Sequence, residues 1–137
     1  MSIDKADKFI SLWIAFNGWM KGKFGENITD RNLIKKVKEL KEIKNVFNAL
    51  KLDFQFNQSL NRLRNFDVID MRDIDNEDKI KRYDGTFESL IETVYQIRCN
   101  LFHGRKDTEE DEKDFELICI SYDILLPLFK KYLESNS

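Results

Sequence analysis

Arg98 and His103, an arginine and the chain's single histidine, stand five residues apart in the run from Tyr95 to Lys106. An imidazole passes protons near neutral pH, and a guanidinium stays charged and grips phosphate oxygens in a two-pronged way. The two groups are a minimal apparatus for cutting RNA, and neither needs a metal. Arg105 and Lys106 follow at once and, with Arg98, form a local basic patch suited to RNA phosphates. The acidic run from Thr108 to Glu112 comes next and would repel a long polyanion. Five helical residues advance about 7.5 Å and rotate about 500°, which leaves Arg98 and His103 roughly 140° apart around the axis. They cannot converge inside one regular helix. Either the backbone leaves the helix before His103, as Gly104 permits, or a second copy of the chain brings its own pair across a shared cleft. The second arrangement gives a symmetric site with two arginines and two histidines.

Other readings of the same residues lead elsewhere. A histidine just before a glycine is ordinarily a helix-end residue that faces the dipole and the free carbonyls. Cys99 and His103 are four residues apart and would share a helical face, the geometry of a thiol nucleophile and its base. No orienting Asn or Asp stands near them beyond Asn100, and a small Cys also suits a buried helix position. Cys99, His103 and Cys119 would leave a zinc ion without a fourth ligand. The Asp-rich stretch 67–78 lacks the glycine and the spaced carboxylates of a calcium loop and reads as a solvated connector. The residues thus call for no metal and no cofactor.

The elements that must position the pair are helical. One proline and five glycines interrupt the chain, and apolar residues recur at three- and four-residue spacing. Five helices are expected. The first runs from about Asp4 to Lys21, with Phe9, Leu12, Trp13, Phe16 and Met20 on one side and Gly22 and Gly25 at its end. The second starts at Thr29 or Asp30 and continues through Leu33, Ile34, Val37 and Leu40 to Phe47 and Leu50, with Lys41 and Lys44 on its wet face. A third spans about Phe54 to Asn65. The fourth begins near Thr86, carries Leu90, Ile91, Val94, Ile97 and Leu101, and ends at Gly104. The fifth runs from about Glu109 to Glu134, with Pro127 expected to kink it or split off its last turns. Trp13, Phe16 and Trp19 belong to the core or a dimer interface before any base-stacking role. Asn17, an amide among aromatics, needs a partner and is placed to brace the motif helix.

Composition sets the frame. A chain of 137 residues fits one domain, residues 1–137, able to hide roughly 68% of the surface its unfolded form exposes. Its 42% hydrophobic residues, eleven Phe among them, supply a core, and its 35% charged residues can coat the outside. A net charge of −2 provides no general positive field, so any RNA contact must be local. The first residues lack the layout of a secretory signal, and no stretch reaches the ~18 apolar residues of a membrane span. Cys99 and Cys119 read as thiols of a reducing compartment, which makes the cytoplasm the expected location.

The segment from Ile97 to Gly104 resembles the signature of HEPN domains, in which an arginine, a polar residue, three variable residues and a histidine follow one another. Leu12 to Trp19 is similar to the aromatic, Asn-containing first helix of several HEPN branches. The likeness covers the first helix and the last fifty or so residues and is weak over 27–83. It implies an up-and-down bundle of four to five helices that dimerises through the motif helices and cleaves RNA without metal. It further implies a toxin or phage-defence effector, whose partners are RNA, a second copy, and a cognate antitoxin or defence-system protein. Arg98 and His103 would be the catalytic pair and Asn100 a supporting residue. Two positions depart from the pattern. Cys99 fills the usual polar slot after the arginine, with Asn100 one place later, and Arg105 stands where some family toxins carry a tyrosine that the antitoxin modifies. HEPN domains also occur as inactive adaptors, so the alternative is a binding module for a nucleotide or a protein partner.

Overall fold

A computed structural model describes residues 3–101 and 108–136. The fold is all-α, with six α-helices and one short 3-10 turn among the described residues. They are α1 (Ile3–Phe24), α2 (Asp30–Lys38), α3 (Lys41–Leu50), α4 (Phe54–Leu63), α5 (Phe87–Asn100) and α6 (Thr108–Ser135). The long α6 packs against α1, α3, α4 and α5, while α2 bridges α1 and α5.

Local chemistry accounts for most boundaries. The side chains of Thr29, Asp53 and Thr86 each accept a hydrogen bond from the backbone N–H three residues on, capping α2, α4 and α5. Gly25, at φ 137°, ends α1 with its N–H on the carbonyl of Lys21. Gly22, expected to mark the same end, lies inside the helix.

The expected second helix is two helices, broken at Glu39 and Leu40, where Leu40 is extended. Wound as one helix, Leu33, Ile34 and Val37 would point roughly 130° away from Ile43, Val46 and Phe47. Both triplets are buried. Interrupting the helix at Leu40 lets each short segment aim its own stripe at the same core, at the cost of a few helical hydrogen bonds. Pro127 does not split the last helix. It removes the donor to the carbonyl of Asp123, on a turn where Asp123 and Leu126 are both more than a third exposed and water can serve instead.

The core is aromatic where α1 meets α6. Phe16 and Trp19 pack edge-on against Phe129, and Trp19 lies 5.0 Å from the Tyr132 ring. Trp13 is buried against Phe9, Phe16 and Tyr95. Trp13, Phe16 and Trp19 thus sit in or against the core. The segment 66–83 is irregular but anchored: Val68 and Lys81 exchange two backbone hydrogen bonds of 2.8 and 2.9 Å, and Val68 and Tyr83 are buried. Asp70, expected in a solvated stretch, is also buried and accepts from the N–H of Arg72. No described helix is long and apolar enough to cross a membrane.

Candidate functional site

The site is built on α5, whose first turn is locked by a compact polar knot. One oxygen of Asp84 accepts from the Thr86 N–H, the Thr86 hydroxyl and the Ser89 hydroxyl at 2.6–2.9 Å. The Ser89 and Thr86 bonds together hold the Asp84 carboxyl down at about 2. From this start the helix buries Phe87, Leu90, Ile91, Val94 and Ile97.

Arg98 continues that stripe, four residues after Val94 and seven after Ile91, and is half-buried in the last turn. The helix closes at once: Asn100 is its last residue, and the N–H of the C-cap, Leu101, returns to the carbonyls of Arg98 and Cys99. His103, Arg105 and Lys106 lie outside the described residues, as does the expected helix stop at Gly104.

Asn100 faces the opposite way from Arg98 and is 9% exposed. Its amide donates to the carbonyl of Ile69 at 2.6 Å, and its oxygen accepts from the Met71 N–H and the Gln96 amide. One side chain thereby ties the irregular 66–83 segment to the end of α5. Asn100→Ala removes the partners of both backbone groups and is expected to cost about 1–3 kcal/mol. A lower urea midpoint at unchanged m-value checks it.

On the flank of α5 beside Arg98, Cys99 contacts the Tyr95 hydroxyl. Burial, then the nearby thiol, pushes that phenol up to about 12. Tyr95 is sandwiched between Trp13, stacked at 6.0 Å, and the Arg31 guanidinium at 5.7 Å from the ring. Both cysteines are free thiols, half-buried, and burial raises the Cys119 thiol. No group of three or more metal-ligating side chains occurs among the described residues.

No family model, curated protein or solved structure matches this chain. The site must therefore be read from its own chemistry. The largest electrostatic feature beside it escaped the sequence reading. Glu92, 14% exposed, takes both arms of Arg31 from α2, then Lys38, with Lys81 at 3.7 Å. Burial by itself would raise the Glu92 carboxyl, but the hydrogen bonds and charges of Arg31 and Lys38 outweigh it and hold it at about 2. On sequence, Glu92 is one more acid on the wet side of an amphipathic helix. Asn17 likewise finds its partner elsewhere than expected: it donates to Asp30 at the start of α2, at 3.1 Å, and so braces α2 rather than the motif helix.

Proposed function

We propose that this protein is a metal-independent endoribonuclease of HEPN type that acts as a homodimer, with Arg98 and His103 as the catalytic pair. The observation that carries the reading is the end of α5 at Asn100. Arg98 thus stands at the C-terminal end of its helix, where the resemblance places the motif. The all-helical architecture and the position of Arg98 in the last turn of α5 agree with the resemblance.

The chemistry then runs as follows. His103 takes the proton of the ribose 2′-hydroxyl, whose oxygen attacks the adjacent phosphorus. Arg98 neutralises the negative charge that builds on the non-bridging oxygens. The bond to the 5′-oxygen breaks, and that oxygen receives a proton from water in the cleft. The products are a 2′,3′-cyclic phosphate and a 5′-hydroxyl. Asn100 supports the pair by fixing the end of α5, and Arg105 and Lys106 hold flanking phosphates. The biological setting is a toxin or phage-defence role in the cytoplasm, checked by a cognate antitoxin or defence-system protein.

Labelled single-stranded RNA incubated in EDTA with the protein, and with its His103→Ala form, tests the reading. Cleavage by the parent alone, leaving cyclic-phosphate ends, is the expected result. Intact RNA across varied sequences would overturn it and leave the binding module.

A further inference from the structure

We infer that the outward face of α2 binds one nucleotide of single-stranded RNA, with Lys35 and Lys36 on its flanking phosphates and Asn32 and Glu39 facing its base. The choice of ligand rests on the ribonuclease reading above; the site itself rests on separate observations.

The net charge of −2 hides a strong segregation. Between Lys21 and Lys51 stand nine basic and four acidic residues, an excess of five positive charges. The cations of this region divide by face. Arg31 and Lys38 point to α5 and are consumed by Glu92, and Lys44 is consumed by Glu88. Lys35 and Lys36 are exposed on the other side, with no ion pair to an acidic side chain among the described residues. They line a cleft of about 560 Å³ together with Asn27, Ile28, Asn32 and Glu39. The cleft is shallow and open to solvent, as suits a strand lying across it rather than an engulfed small molecule.

The arrangement selects the ligand. Helical register sets Lys35 and Lys36 about 100° apart, with Asn32 and Glu39 between them. A compact phosphate ion drawn to both lysines would meet the Glu39 carboxylate, and so would an acidic peptide. A nucleotide within a strand spreads its two phosphates to either side and offers a base between them, whose amino protons suit Glu39 and Asn32. The half-buried Ile28 gives the base an apolar surface.

The cleft is also well placed. Arg31, in the first turn of α2, reaches Glu92 and the Tyr95 ring. The start of α2 therefore flanks the last turns of α5, where Arg98 stands.

Fluorescence anisotropy with a short single-stranded 2′-O-methyl RNA, which cannot be cut through its 2′-oxygen, tests the site apart from catalysis. The parent is compared with Lys35→Gln/Lys36→Gln and with a charge-matched control, Lys8→Gln/Arg62→Gln. Lys8 is roughly 25 Å of helix from the Gly25 turn. All four side chains are exposed, and circular dichroism confirms folding. The expected result is binding weakened roughly five- to twentyfold by the α2 pair alone. The slope of log affinity against log salt should fall by about 0.7 for each lost phosphate contact. Equal affinity for parent and α2 variant, an equal loss in the control, or no RNA binding by the parent would each overturn the inference. Binding through Lys35 and Lys36 by a protein that cuts no RNA would retain the site and remove the nuclease.

Discussion

Arg98→Ala is expected to lower RNA cleavage by about 10²–10³-fold while leaving the helical content unchanged, because one charge-stabilising donor at a developing oxyanion is worth that much. Arg98→Lys should restore little, since an ammonium cannot offer the planar fork that grips two phosphate oxygens. The variants also report whether the site is shared. An Arg98→Ala chain and a His103→Ala chain, each inactive alone, are mixed and allowed to exchange subunits. If Arg98 of one copy works with His103 of the other, each mixed dimer keeps one intact pair. Activity then returns to up to about a quarter of the parental level. If each chain uses its own pair, every site in the mixture lacks one member and no activity returns. Single-turnover cleavage of the mixture against each variant alone makes the measurement.

Glu92 carries the largest expected effect on stability. Glu92→Ala removes the one carboxylate that Arg31, Lys38 and Lys81 share, at a position only 14% exposed. The cations are left facing one another at the seam of α2 and α5. Breaking such a pair costs several kcal/mol when it is fully buried, and about 2–3 kcal/mol is expected here, where water can reach Arg31. For a chain of this size that lowers Tm by roughly 6–12 °C. The same carboxylate gives stability a pH dependence of fixed sign. Its folded value of about 2 lies below the ordinary 4.5, so its contribution is complete above about pH 4.5 and fades as pH falls toward 2. Asp84, also held at about 2, acts in the same direction. Thermal melts of parent and Glu92→Gln between pH 7 and pH 2.5 should converge in acid. Parallel curves would show that Glu92 does not set the acid limb.

The expected helices and the helices found agree at several local signals. Thr29 and Thr86 carry their caps, Gly25 carries its turn, and the α1 aromatics pack where three- and four-residue spacing placed them. Where neighbouring signals competed, the reading failed. Nothing between Thr29 and Leu50 breaks a helix chemically, since Leu40 is an ordinary helix former. The break arises because two apolar stripes of different phase must face one core.

The sequence by itself determined the helical class, the caps and the chemical kit of Arg98 and His103, because each depends on residue type and on spacings of a few positions. Tertiary structure decided the partners. Glu92 meets Arg31 across 61 residues, Asn100 meets Ile69 across 31, and Asn17 turns to Asp30 rather than to α5. Any exposed-looking acid or amide has many possible partners along a chain, and it acquires one when packing brings two helices together. The division of the α2 cations follows from the same cause. Arg31, Lys35, Lys36 and Lys38 look alike in sequence, and the placement of α5 alone consumes two of them and leaves two facing outward.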